Sequence, residues 1–209
     1  HQPSFVTPQR THNGFDLGDA GPTRFIVGAD GPNSRVAQVL GLGRNSKFLF
    51  GVEHEYCGVQ LADPDRLHCF IDRRLAPGYI GWIVAGVGAV QVGLAGRVQS
   101  GRLTATEAIT PFLEKIAAVA DFKGAGPASI RAGMIPCGGV VSPVATRRAM
   151  LVGDAAGMVS PVTAGGIHTA LKHGLAAGHA IADFLTGKSD DPSEAFVRSY
   201  PRFRTKRML

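Results

Sequence analysis

Residues 150–174 read MLVGDAAGMVSPVTAGGIHTALKHG, and the fold turns on how this stretch is read. Ala149 to Val152 is a short apolar run with the length and bounds of a buried strand. It runs into Gly153-Asp154, then a loop of small residues with Pro161, and then Gly165-Gly166. From there to Leu185 the apolar residues recur at helical spacing. The expected order is strand, turn with one carboxylate, and helix from 166 to 185. Glycine and alanine around the carboxylate let a backbone approach a ligand closely, and a helix start offers free N–H groups and a favourable dipole to anions or carbonyls.

A second stretch repeats the arrangement. From Arg24, RFIVGADG is an apolar run delivering Asp30 into a glycine turn, and PNSRVAQVLGLG then reads as a helix. Ser34 or Asn33 caps it and Gly41 ends it. Taken singly, Asp30 and Asp154 divide evenly between turn or cap residues and ligand-binding carboxylates. The pair in this order favours a ligand that is long, rich in hydroxyls and phosphorylated.

Between the two lies a different texture. KFLFGVEHEYCGVQL, RLHCFID and GYIGWIVAGVGAVQVGLAGR are strand-like runs separated by turn signals. Gly78 to Gly96 is uncharged, but its six glycines and Gln91 make it a hairpin turning at Gly86-Val87-Gly88 rather than a membrane span. TATEAITPFLEKIAAVADF from Thr104 reads as an amphipathic helix, ASIRAGMIPCGG as a strand, and Pro192 to Phe203 as a last helix. The domain boundaries expected are 1–45 and 141–209 for one α/β unit and 46–140 for a β-rich insert.

Composition excludes several classes. The 209 residues carry a net charge of +6, but Arg198, Arg202, Arg204, Lys206 and Arg207 crowd the last twelve positions, leaving 17 basic against 16 acidic residues elsewhere. Nucleic-acid proteins spread basic residues over a face, so no nucleic-acid partner is expected. The basic tail suits a partner-facing helix end or peripheral contact with an acidic membrane surface. Cys57, Cys69 and Cys137 lack metal or disulfide spacing and fit a reducing, cytoplasmic setting. No metal site is expected, because in Glu53-His54-Glu55 neighbouring side chains on a strand face opposite ways. Gly41-Leu42-Gly43 and Gly86-Val87-Gly88 open no helix and are turns rather than dinucleotide fingerprints. Ser160 has no nucleophile-elbow context, and no side chain stands out as a general acid or base.

The two Asp-bearing stretches resemble a known family. GADGPNS is similar to the DG motif, and LVGDAAGMVSPVTAGGI to the GD motif, of the FAD-dependent oxidoreductases that include p-hydroxybenzoate hydroxylase. GDAAG followed by P-x-x-x-G-G-I, with Pro77-Gly78-Tyr79-Ile80-Gly81-Trp82 upstream, resembles the geranylgeranyl reductase branch. The resemblance spans roughly residues 13 to 200. It implies a mixed α/β fold: the remainder of an FAD-binding Rossmann-like domain with a β-rich substrate domain inserted.

The resemblance also implies roles. Asp154, after Gly153, would bond ribityl or ribose hydroxyls of FAD. Gly165, Gly166 and Ile167 would offer backbone N–H groups to the flavin and to phosphate, and Pro161 would shape the loop beside the ring system. Asp30 and Gly31 would brace the cofactor domain near the pyrophosphate. Tyr79 and Trp82 would lie on the substrate-domain sheet, facing the flavin as substrate residues, although ordinary core packing of a sheet explains them nearly as well. The implied activity is reduction of C=C bonds in an apolar isoprenoid or lipid by flavin, with NAD(P)H as reductant. A monooxygenase or halogenase of the same architecture, or a non-catalytic fragment, is the alternative. The chain departs from the pattern in three places. It lacks the family's GxGxxG segment and so reads as a C-terminal portion, Ala37 and Arg35 stand where many members have S-x-V-R, and Ile83-Val84-Ala85 replaces a proline after Trp82.

Overall fold

The computed structural model describes residues 5–97, 104–122, 124–160 and 165–199. In chain order the elements are β1 (Gln9–Thr11), β2 (Gly14–Asp16), β3 (Pro22–Thr23), β4 (Ile26–Gly28), α1 (Arg35–Leu40), β5 (Phe48–Tyr56), β6 (His68–Phe70) and β7 (Gly81–Ala85). They continue with β8 (Val90–Gly96), α2 (Ala105–Lys115), β9 (Ser129–Pro136), β10 (Ala145–Thr146), β11 (Ala149–Leu151), α3 (Ile167–Leu185) and α4 (Pro192–Arg198). The fold is mixed α/β. It divides into two compact units, residues 1–47 with 136–209, and residues 48–135.

In the first unit β11 lies between β10, antiparallel to it, and β4, parallel to it with Leu151 opposite Gly28. Parallel strands need a long crossover, and the whole second unit lies within this one. The apolar run of β11 is buried on both faces, as central parallel strands are. Ala149 and Leu151 pack with Val36, Ala37 and Leu40 of α1. Met150 and Val152 pack with Ala177 and Ala180 of α3 and Phe196 of α4. Strand alternation therefore puts one helix on one face and two on the other. Burying Met150 or Leu151 fully contributes about 1.5–3 kcal/mol each. Gly28 permits this closeness, because a Cβ there would lie 2.7 Å from Leu151 Cδ2 and 3.0 Å from Val36.

Beside this sheet, β1, β2 and β3 form a small antiparallel sheet that the sequence reading did not anticipate. Its strands are two or three residues long, too short for an alternating pattern to stand out. Arg10 Nη2 of β1 donates to Leu40 O at the end of α1, 2.8 Å away.

The second unit is a five-stranded antiparallel sheet, β6-β7-β8-β5-β9, with α2 against one face. The 78–96 run is the expected hairpin: Ala85 pairs with Val90, and Gly86 N donates to Ala89 O at 2.7 Å. Among the described residues no helix is long and apolar enough to cross a membrane. Val52, Tyr56, Ile83, Val92 and Leu94 turn inward onto Ile109, Phe112 and Ile116. Thr104 and Glu107 form a reciprocal capping box at the start of α2. That helix ends at Lys115, not near Phe122 as its periodicity predicts, because Leu61 pairs with Ala120 and draws the following residues into a bridge. The last helix is described from Pro192 to Arg198, and the rest of the stretch expected to Phe203 lies, after Ser199, outside the described residues.

Candidate functional site

Both Asp-bearing turns lie at the C-terminal ends of the parallel strands β4 and β11, the edge at which open α/β sheets bind ligands. Their chemistry differs. Asp30 Oδ1 accepts from Ser34 Oγ at 2.6 Å, and its Oδ2 accepts from Arg35 N at 2.7 Å and Val36 N at 3.0 Å. Ser34 Oγ in turn accepts from Ala37 N at 2.9 Å, so Ser34, not Asn33, is the cap. The first N–H groups of α1 are thus satisfied by two side chains. Gly41 closes the helix with φ 69°. Most of the acceptor capacity of Asp30 is taken up by its own helix.

Asp154 stands in a turn of 3-10 helix, Gly153 to Ala156, entered at φ 58° and left through Gly157 at φ 70°. A Cβ on Gly157 would run into the carbonyl of Gly139 and lie 2.7 Å from Asn45 Oδ1. This turn has a backbone shape that only glycine satisfies. The Asp154 carboxylate is half-buried and accepts no hydrogen bond from a described residue; burial alone raises its pKa above the ordinary carboxylate value. Its Oδ1 lies against Gly166, 3.1 Å from where a Cβ would stand. Gly166 is the N-cap of α3 and brings no side chain to cap it. A carboxylate without a donor among the described residues and the N-terminus of a nineteen-residue helix therefore meet at one place.

Two residues outside the sequence reading lock this geometry. Asn45 Nδ2 donates to Asp154 O at 2.8 Å and to Pro32 O at 3.0 Å, joining the two turns. Thr169 Oγ1 lies 2.7 Å from Met158 O and 2.8 Å from Gly166 O, tying the first turn of α3 to the end of the Asp154 turn. Asn45 lies 109 residues from Asp154 and carries no local signal. Pro32, Asn33, Ser34, Arg44 and Asn45 border a small polar pocket between the turns.

Of the other expected site residues, Gly31 has φ 83° with open space where a Cβ would be. Gly165 accepts through its carbonyl from Ser160 N at 3.0 Å, and Ile167 is 81% exposed. Pro161 lies outside the described residues. In the second unit, Tyr79 has its phenol pKa raised by burial and by nearby Cys69. Trp82 Nε1 donates to Glu53 Oε2 at 3.2 Å. Glu53 and Glu55 share one sheet face and His54 bonds Tyr56 on its own, as the alternation requires. Among the described residues no cluster of His, Cys, Asp or Glu could hold a metal, and all three cysteines are free.

Comparison with known proteins bears on the same residues. The profile of the FAD binding domain family matches residues 20–207. Digeranylgeranylglycerophospholipid reductase of Methanocaldococcus jannaschii is 32% identical over 183 residues, which cover 86% of this chain and 46% of that protein. The chain spans about half the length of the curated relatives it matches. A geranylgeranyl bacteriochlorophyll reductase-like protein of Thermoplasma acidophilum superimposes with a TM-score of 0.75 at 20% identity, over 92% of this chain and 51% of that one. A triple mutant of a flavin-dependent brominase gives 0.71 at 16% identity, over 92% and 54%. These two structures share the fold.

Proposed function

The chain belongs to the FAD binding domain family, and we propose that it is part of an FAD-dependent oxidoreductase that reduces C=C bonds of an isoprenoid lipid. The observation that carries the reading is the half-buried Asp154 carboxylate, without a donor among the described residues, beside the glycine N-cap of α3. An unpartnered buried acceptor is costly, and a ligand with hydroxyl groups removes that cost. The residues fit FAD: Asp154 would hold its ribityl or ribose hydroxyls, and the N–H groups at Gly165, Gly166 and Ile167 its negative edge. When bound, FAD supplies the hydride chemistry, with NAD(P)H as the source of electrons. Asp30 has a supporting part. It fixes α1 and, with Gly31, would form the wall of the site.

The substrate class rests on the relatives. The M. jannaschii relative is named as a reductase of digeranylgeranylglycerophospholipid, and a similar substrate is proposed here. The second unit would be the substrate domain, with Tyr79 and Trp82 toward an apolar chain. A lipid substrate also favours a cytoplasmic protein in peripheral contact with a membrane, to which the basic C-terminal run is suited.

The test is the absorbance spectrum of the full-length protein. A bound flavin that bleaches with NAD(P)H, and is reoxidised without oxygen by geranylgeranyl lipid, is the expected result. A protein that takes up no flavin on reconstitution is a scaffold. One that consumes NAD(P)H only with oxygen is a monooxygenase or halogenase.

A further inference from the structure

The face of the second unit's sheet away from α2 carries a polar chain that the motifs do not account for. Trp82 on β7 is opposite Gly93 on β8, which is opposite Glu53 on β5. A Cβ on Gly93 would fall inside the Trp82 indole, with Cζ2, Cε2 and Cη2 the nearest atoms, so the ring lies across this glycine. Beyond it, the Trp82 N–H donates to Glu53 Oε2. Arg131 Nη2 on β9 donates to Glu53 Oε1 at 2.8 Å and also to Glu55 Oε1. Gln91 Nε2 on β8 donates to the same Glu55 oxygen at 3.0 Å. One network therefore crosses four strands and ends on the chain's one tryptophan.

Stability does not explain it. The Arg131 side chain is 56% exposed, and exposed ion pairs are screened by water and contribute little to stability. Its effect is geometric. A partly buried indole N–H needs an acceptor, and a carboxylate pinned from its other side offers that acceptor in one place. The glycine beneath clears the space, so the ring is set from below and from its edge, leaving an apolar surface fixed in orientation.

We propose that Glu53, held by Arg131, is a positioning residue that fixes Trp82 across Gly93 as an apolar platform for an isoprenoid chain. This rests on the substrate reading above and adds to it the residues that make the platform rigid. Arg131 has Glu55 as a second carboxylate partner, so a single loss at Glu53 frees the indole without freeing the guanidinium.

The test follows Trp82 fluorescence in the full chain, taken as the difference from Trp82→Phe, together with binding of geranylgeraniol as probe. Glu53→Ala should shift the emission to longer wavelength, raise acrylamide quenching about twofold and weaken geranylgeraniol about fivefold, near 1 kcal/mol. Glu53→Gln keeps an acceptor oxygen and should restore most of each. If Glu53→Ala leaves emission and quenching at wild-type values, or Glu53→Gln restores neither, Glu53 does not set the ring and the proposal is overturned. It is equally overturned if wild-type protein that retains flavin does not bind geranylgeraniol. A wild-type protein without flavin would instead sink the oxidoreductase reading, and the Trp82 signals would still decide what Glu53 does.

Discussion

Asp30 and Asp154 occupy matching places, each at the end of a parallel strand and before a helix, and a sequence comparison treats them alike. The structure separates them by what their oxygens already do. Asp30 accepts from one hydroxyl and two backbone N–H groups, all within its own turn and α1. Asp154 accepts from none of the described residues and sits half-buried. A carboxylate with most of its lone pairs taken by its own helix holds the scaffold, whereas one without a described donor beside a glycine N-cap is available to a ligand. Matching motif position therefore does not imply matching role, and substitutions at the two turns should have opposite consequences.

The turns differ first in how much side chain they tolerate. Gly157 combines a left-handed φ with a Cβ position blocked by the Gly139 carbonyl, whereas Gly31 has the same hand of φ but open space. Gly157→Ala should destabilise by about 3 kcal/mol, strain and clash together, and Gly31→Ala by about 1 kcal/mol. Urea midpoints of the two variants at equal m-values measure this. Equal losses would mean that the turns are equally open.

The carboxylates themselves come next. Asp154→Ala in the full-length protein should weaken FAD about 10- to 100-fold, the loss of charge-assisted hydrogen bonds, with thermal stability of the apoprotein unchanged or higher. Asp30→Ala should do the reverse. It removes the acceptor for two helix N–H groups and should cost about 1–2 kcal/mol, with FAD affinity of the folded fraction within about threefold of wild type. Flavin fluorescence titration and thermal melts on both variants give the four values. A matched pair, both losing flavin or both losing stability, would break the distinction.

The sequence carries local features well and remote ones poorly. The cap at Ser34, the left-handed stop at Gly41, the Ala85–Val90 hairpin and the start of α3 are written in neighbouring residues, because each depends on a turn geometry or a period. The Asn45 bridge, the Thr169 tie and the Glu53–Arg131 contact join residues distant in the chain or use residue types common in any loop or strand. Nothing in a local pattern marks them. The same limit explains α2, whose apolar spacing runs on past Lys115 while a bridge to Leu61 stops the helix. It also explains why Asp30 and Asp154 looked alike: the difference lies in which donors reach each carboxylate, and the decisive neighbour of Asp154, Gly166, has no side chain at all.

The smallest effect is the most specific to Asp154. Burial raises its pKa in the folded protein above the value in the unfolded chain. Between those two values the native state binds more protons than the unfolded state, so stability falls as pH rises through this range and levels off above it. Asp154→Asn removes the ionisation. In the apoprotein it should be neutral at pH 3, where the wild-type carboxyl is protonated in both states. It should be stabilising by about 0.5 kcal/mol at pH 7, a modest figure because the group is only half out of water. Urea unfolding of wild type and variant at the two pH values measures the difference. With FAD present the sign should invert at pH 7, since the ligand's hydroxyls then favour the charged form that burial disfavours. An advantage for Asn that persists in the holoprotein would show that Asp154 does not face the cofactor, and the contrast between the two turns would reduce to a difference in burial.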